Sequence, residues 1–415
     1  MTIDRTQRQI KAVDKWVQNK CKGCWVFCTG FGKTFTSMIA IKRFYNKNPN
    51  GRVTVIVPTE VLKEQWENGL KKQELSANIL IINSAIKKQF ETDLLIIDEI
   101  HKIAAESFSK IFSCCKYSMI LGLTATFERL DGKEVLIQKY CPVIDTISVK
   151  EATKNGWLSP ALIYKVIIDV PDIKKYEYHN ATFMNHFAYF QFDFNLAMSC
   201  VTSATKRTNF VKEIYGTQNL QQHEKECAGH AFAWMKALKA RKEFVQKHPK
   251  KFEIAKKILK CRPNSKAITF NATIKDCENY GFGTVIHSKQ TKKKNSDLLE
   301  EFNSKKIGVV HSSKALNEGV DIRGLNLAII LYNTSSSIER IQKYGRVIRA
   351  EEGKVAEIFS LVIRNTVEEN WFKSSARNTT FIEINESELE KILRGETLPK
   401  IEKYQKVPKI DFTFK

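Results

Sequence analysis

Short apolar runs alternate along this chain with longer stretches in which apolar residues recur every three or four positions. In the first third, Cys24–Cys28, Arg52–Val57, Asn78–Ile82, Asp93–Ile97 and Tyr117–Leu123 predict strands, while Lys33–Tyr45 and Glu60–Lys71 predict helices. These runs are β-branched and largely apolar instead of strictly alternating, as strands covered on both faces are, so a parallel sheet flanked by helices is expected. The same grammar returns after residue 255. Lys266–Phe270, Thr284–His287, Ile307–His311, Leu325–Leu331 and Val355–Ile363 predict strands there, with helices over Ser296–Phe302 and Ile338–Ile348. Two tandem α/β units of similar size follow from that repetition.

Between the two units the pattern changes. Residues 170–250 hold few strand signals and many aromatics, among them Tyr176, Tyr178, Phe183, Phe187, Tyr189, Phe190, Phe192 and Phe194. A helical stretch then puts Ala231, Trp234, Met235 and Leu238 on one face, with Lys236, Lys239, Arg241 and Lys242 mostly elsewhere, and Lys247-His248-Pro249 punctuates its end. This reads as a mainly helical insertion. Its aromatics suit the core of a small subdomain or, alternatively, a platform for stacking bases, and its basic face suits phosphate contact. The expected organisation is a first lobe over 1–165, an insertion over 166–254, a second lobe over 255–377 and a charged tail over 378–415.

No apolar stretch is long enough to cross a bilayer, and Met1–Arg5 opens without a secretory signal's apolar segment, so a cytoplasmic protein with no membrane partner is expected. The net charge of +22 favours a polyanion, because neutralising phosphates releases counterions, although a solvated basic surface carries the same charge. Cysteines default to free thiols in that compartment. Cys21 and Cys24 have the spacing of half a zinc site, but no second pair with ligand spacing follows, so Cys24 and Cys28 are expected to pack beside a strand.

The candidate chemistry lies at two strand ends. Cys28-Thr29-Gly30-Phe31-Gly32-Lys33-Thr34 joins a strand to a helix. Its glycines let backbone N–H groups approach phosphates, and the helix N-terminus adds the positive end of its dipole. Lys33 would meet the β- and γ-phosphates of ATP, and the Thr34 hydroxyl would hold Mg²⁺. The full phosphate-loop pattern has a glycine where Phe27 stands, so this match is partial. The run Leu94-Leu95-Ile96-Ile97 leads into Asp98-Glu99-Ile100-His101. Asp98 would hold Mg²⁺ through its water shell, and Glu99 would orient and deprotonate the attacking water. Acidic caps on the next helix would look the same, but the pairing with Lys33-Thr34 in this order favours an ATPase.

With these motifs in place, the chain resembles the superfamily 2 helicases of the DEAH-like type, and within them the XPB and UvsW branch, over residues 5–375. The resemblance implies two RecA-like lobes with ATP between them. Gln9 matches the family's adenine-sensing glutamine, and Thr59 and Gln65, in Pro58-Thr59-x-x-Leu62-x-x-Gln65-Trp66, match its strand-contacting motif, although a capped amphipathic helix would look alike. Leu121–Thr126 resembles the motif that couples nucleotide state to nucleic acid, which assigns coupling to His101, Thr124 and Thr126. Phe127 replaces the usual proline there, so this loop is expected to bend differently. In the second lobe, Ser313–Asp321 resembles the motif touching both nucleotide and strand, with Ser313 on the strand side and Gly319 and Asp321 on the nucleotide side. Gln342–Arg349 resembles the arginine-finger motif. Arg346 and Arg349 lie three apart, hence on one helix face, where guanidinium groups stabilise charge spreading from the γ-phosphate, and Gln342 couples.

The resemblance implies a DNA helicase or translocase using ATP and Mg²⁺, with single-stranded, duplex or branched DNA as partner and replication or recombination proteins as further partners. The compact form resembles phage members, which would place it in a host's cytoplasm. Three alternatives stay open at this stage: an RNA helicase on the same motor, a non-catalytic nucleic-acid-binding scaffold, and a P-loop small-molecule kinase. Lys33, Glu99 and Arg346 together weigh against the scaffold, and the second lobe weighs against the kinase.

Overall fold

The computed structural model describes residues 4–104, 109–125, 134–313, 322–334, 336, 343–345, 347, 355–376, 380–399 and 401. Helix α1 (Arg5–Gln18) is capped by Asp4, whose carboxylate accepts from the N–H groups of Thr6 and Gln7. The first sheet then unfolds in strand–helix steps: β1 (Lys22–Phe27), α2 (Lys33–Lys47), β2 (Val53–Val57), α3 (Glu60–Lys72), β3 (Asn78–Ile81), α4 (Ile82–Ala85), β4 (Phe90–Asp98), α5 (Ile111–Cys114), β5 (Cys115–Thr124), α6 (Glu134–Tyr140), β6 (Val143–Ile147) and α7 (Val149–Lys154). Its order is β3–β2–β4–β5–β1–β6, and every pairing is parallel. The carboxyl ends of β1, β4 and β5 therefore meet along one edge, where α/β sites form. Val55, Ile56, Leu94, Leu95, Ile96 and Ile97 are fully or almost fully buried, as double coverage demands. Cys24 and Cys28 are buried core residues.

The second sheet takes in more of the chain than the sequence pattern gave it. Strand β7 (Ala161–Ile168) straddles the boundary expected at 165, yet it pairs in parallel with β12 (Ala356–Ile363) along its whole length. An eight-residue run with apolar side chains on both faces needs neighbours on both sides, and it finds them between β12 and β13 (Ile382–Asn385). Strand β13 and the helix after it lie in the stretch expected as tail; Ile382 and Ile384 are buried while Glu383 and Asn385 face outward, the alternation of an edge strand.

After β7 come the helices of the insertion, α8 (Ile173–Ala188), α9 (Phe194–Thr202), α10 (Ala204–Tyr215) and α11 (Leu220–Lys247). The chain then returns through α12 (Pro249–Cys261), β8 (Lys266–Asn271), α13 (Ile274–Glu278), β9 (Thr284–His287), α14 (Lys292–Ser304), β10 (Gly308–Ser313), β11 (Leu327–Ile330), β12, α15 (Val367–Ser375), β13 and α16 (Glu386–Leu393). The second sheet runs β13–β7–β12–β11–β8–β10–β9, again all parallel. The fold is thus two parallel-sheet lobes with a helical insertion.

The aromatics of the insertion divide between core and surface. Phe183, Phe190, Phe210 and Trp234 are buried together, and Tyr176 is buried as well, whereas Tyr178, Phe192 and Phe194 are exposed. Arg241 does not join the basic face expected of it. It sits seven residues after Trp234, on the same helical stripe, and is buried with its guanidinium 3.7 Å from the Phe183 ring centroid and its Nη1 donating to Asn180 Oδ1 at 2.9 Å. Lys236, Lys239 and Lys242 are exposed.

Candidate active site

The loop after β1 turns sharply enough to need glycine. Gly30 (φ 89°) and Gly32 (φ 103°) both occupy the left-handed region, and Gly32 is the residue from which α2 starts. A Cβ on Gly32 would lie 2.9 Å from Gln9 Nε2. Gln9 Nε2 donates to the Phe31 carbonyl (3.1 Å), and Arg5 donates through Nε to the same oxygen (2.8 Å) and through Nη2 to the Gly30 carbonyl (2.5 Å). These bonds tie the loop's carbonyls to α1, and the first turn of α2 keeps the unpaired N–H groups of a helix start. Arg5 was not among the residues expected here; its only sequence signal is a place one turn before Gln9. Phe27, standing where a glycine is usual, packs between Trp25 and Phe31, with ring centroids 5.5 and 5.4 Å away. Lys33 Nζ rests on the Phe27 carbonyl at 3.4 Å, and Thr29 Oγ1 is buried without a hydrogen-bond partner.

Across β5, strand β4 delivers the two acids. Asp98 is buried: its Oδ2 accepts from Trp66 Nε1 at 2.9 Å and its Oδ1 from the Glu99 N–H at 3.0 Å. Burial, and next the Glu99 charge, push the Asp98 pKa up to about 6, against the pull of Trp66 and of the Lys33 ammonium. Lys33 therefore lies within electrostatic reach of Asp98. Glu99 adopts a left-handed backbone (φ 49°), a costly conformation for a non-glycine residue and one that collects at functional sites. Its Oε2 is buried without a hydrogen-bond partner; His101 Nδ1 lies 3.4 Å away, outside bonding geometry, and stands 2.9 Å from Thr124 Oγ1 instead. His101 thus bridges the end of β4 to the end of β5.

The second lobe reaches this loop through Gly345. A Cβ on Gly345 would stand 2.3 Å from Thr29 Cβ, so the two backbones approach as closely as a missing side chain allows. Residues 343–345 and 347 are helical, within the span expected for a helix. Gln342, Arg346, Arg349, Gly319, Asp321 and Thr126 lie outside the described residues. Thr59 caps α3, with its Oγ1 accepting from the Leu62 N–H at 3.4 Å, and Gln65 is half-buried one turn on. Ser313 ends β10 and is buried beside Cys277. Three features of this arrangement fit a triphosphate with a divalent cation: a left-handed glycine turn into a helix, a lysine within electrostatic reach of a buried carboxylate, and two buried oxygens without hydrogen-bond partners, Thr29 Oγ1 and Glu99 Oε2.

Two family models match the chain: Type III restriction enzyme, res subunit, over residues 2–90 and 72–129, and Helicase conserved C-terminal domain over residues 250–351. DNA 3'-5' translocase XPB2 of Sulfurisphaera tokodaii is 23% identical over 390 residues, which cover 88% of this chain and 83% of that protein. A candidate helicase of the Sulfolobus islandicus filamentous virus, helicase 22, is 25% identical over 415 residues, covering 90% of this chain and 66% of the viral protein. Among solved structures, the Pyrococcus furiosus Hef helicase domain superposes with a TM-score of 0.51 at 17% identity, over 90% of this chain and 100% of that one. The S. cerevisiae Dbp5 structure bound to RNA and ADP BeF3 reaches 0.58 at 12%, over 93% and 92%. At such identities these structures speak for the fold, a pair of RecA-like lobes.

Proposed function

We propose that this chain, which belongs to the superfamily 2 helicases on their XPB-like branch, is an ATP-driven motor that moves along or remodels DNA. The observation that carries the reading is the contact of Gly345 with Thr29, which sets the second lobe's motif against the first lobe's phosphate loop. Lys33 and the N-terminus of α2 bind the β- and γ-phosphates, and Arg5 and Gln9 hold the loop in the shape that does so. Thr34 and Asp98 are the residues that would hold Mg²⁺, which supplies positive charge to the phosphates. Glu99 Oε2 accepts the proton of the attacking water. Arg346, the next residue after Gly345 in the sequence, and Arg349 are the residues that would stabilise charge on the γ-phosphate.

Because the site is complete only when the lobes meet, ATP favours the closed arrangement over the open one, and hydrolysis removes that preference. His101 and Thr124 pass the change along the edge of the first sheet. DNA lies across both lobes, on the Thr59 end of α3 and at Ser313 on the end of β10, held chiefly by its phosphates, so sequence preference is weak and salt dependence strong. We take the first lobe to end before β7, and the second to comprise β7 together with everything from α12 to α16.

The test is ATP turnover without nucleic acid and with single-stranded DNA, duplex DNA, branched DNA or RNA, each at two salt concentrations. DNA should stimulate strongly and less so at high salt. Equal rates with and without every nucleic acid remove the motor, and stimulation by RNA alone moves the substrate to RNA.

A further inference from the structure

Helix α3 touches the candidate site at two points that its helicase reading leaves unused. Trp66 is buried, and its indole N–H donates to Asp98 Oδ2 at 2.9 Å. Three residues on, Gly69 faces α2: a Cβ there would stand 2.3 Å from Met38 Cε. Positions 66 and 69 share a helix face, so α3 is seated at once on the strand that carries the acids and on the helix that begins at Lys33. At its other end α3 starts from Thr59, the cap placed on the nucleic-acid side. From Thr59 to Trp66 is seven residues, roughly 10 Å of rigid helix.

Resting on the nucleic-acid side assigned to Thr59 above, we propose that Trp66 is a positioning residue that fixes the Asp98 carboxylate for the divalent cation and transmits strand engagement at the start of α3 to it. The chemistry is simple. A carboxylate whose Oδ1 accepts from the Glu99 N–H can still rotate unless its second oxygen is also held, and the indole N–H supplies that hold. A buried ring cannot follow a moving carboxylate, so a shift of α3 by a fraction of an ångström lengthens the bond and turns the Oδ2 lone pairs. A phosphate seated on the Thr59 end fixes α3 and with it the orientation of Asp98. Coupling of this kind is reciprocal: DNA tightens the cation, and the cation tightens DNA.

The decisive variant is Trp66→Phe, which keeps an aromatic ring and removes the N–H. Binding of a fluorescent ATP analogue is titrated with Mg²⁺, with and without single-stranded DNA, so that the readout is cation affinity and not turnover. In the unaltered chain DNA lowers the Mg²⁺ concentration for half-maximal binding. In Trp66→Phe that concentration rises about tenfold, as loss of a ligand's supporting hydrogen bond does, and DNA no longer lowers it. Nucleotide affinity at saturating Mg²⁺ stays unchanged. Should the smaller ring lower the melting temperature, site-specific replacement of the Trp66 indole by benzothiophene keeps the shape and exchanges N–H for sulfur, and the same shift is expected. An unchanged Mg²⁺ requirement in a folded variant, or full lowering by DNA, overturns the proposal. A chain that turns over no ATP with any nucleic acid defeats the motor reading instead, while the DNA-free Mg²⁺ titration still reads the Trp66 bond.

Discussion

Two glutamates, each with a buried carboxylate oxygen, show how differently the lobes treat a carboxylate. Glu368, at the start of α15, is fully buried, and both of its oxygens are satisfied: Lys251 Nζ donates to them at 2.5 and 2.7 Å, Asn333 Nδ2 to Oε1 at 3.0 Å, and the Ile363 N–H to Oε2 at 3.0 Å. Lys251 also donates to the Leu331 carbonyl, although burial still lowers its pKa. Glu99, at the edge of the first sheet, has a left-handed backbone and a buried oxygen with no donor. A satisfied network specifies one arrangement of a core, whereas an orphaned oxygen on a strained residue is a cost that only a ligand repays. The second lobe's carboxylate builds structure, and the first lobe's is the one we propose for chemistry.

The sharpest way to break this contrast is to remove the carboxylate charge at both. Glu99→Gln should lower DNA-stimulated turnover about a thousandfold while ATP still binds, with no loss of thermal stability, because no native hydrogen bond of Oε2 is removed. Rapid-quench turnover and a thermal melt read both halves; normal turnover takes Glu99 out of its role. Glu368→Ala should instead destabilise the fold by about 3–5 kcal/mol in a urea titration, since the Lys251 ammonium stays buried and unpaired. Replacing the pair together, Lys251→Met with Glu368→Leu, should recover most of that loss, and no recovery would mean that the network does more than satisfy a charge.

A third buried group gives the contrast a pH axis. His311 donates through Nε2 to the Phe282 carbonyl at 2.9 Å, which leaves Nδ1 to accept from the Thr269 hydroxyl at 2.8 Å, and burial lowers its pKa to about 4. The unfolded chain then binds a proton that the folded one refuses between about pH 6.5 and pH 4. This contribution to stability is complete above pH 6.5 and is lost as pH falls towards 4, by about 3 kcal/mol from this group alone. Urea titrations across that range check the slope, and His311→Gln should flatten it. The smallest effect belongs to the surface: removing the Lys165–Glu383 pair with Glu383→Gln should cost under about 1 kcal/mol, because Glu383 is exposed.

What could be read from the sequence follows from how local each signal is. The acids at Asp98 and Glu99 were legible because an apolar strand must end where its polarity changes, and the glycine loop because only glycine makes that turn. The sheet membership of β7 and β13 was not, since a strand's partners lie some 190 to 220 residues away in the chain and its own residues record only burial, not whose edge it joins. Trp66 could be read as part of a capped amphipathic helix, but nothing near it in sequence announces a carboxylate 32 residues on. Lys251 and Arg241 left a clue that charge concealed. Each occupies the apolar stripe of its helix, Lys251 with Ile254, Ala255 and Ile258, and Arg241 with Trp234 and Val245, and a charge on such a stripe signals a buried partner.

The central claim is that one site is shared by two lobes, and Gly345→Ala tests it where they touch. The added methyl would stand 2.3 Å from Thr29 Cβ, so it holds the second lobe back from the phosphate loop without altering Lys33, Asp98 or Glu99. The shared site predicts DNA-stimulated turnover down about a hundredfold with nucleotide still bound, as a displacement of about an ångström from the reacting geometry does. Turnover at the unaltered rate in Gly345→Ala would contradict it.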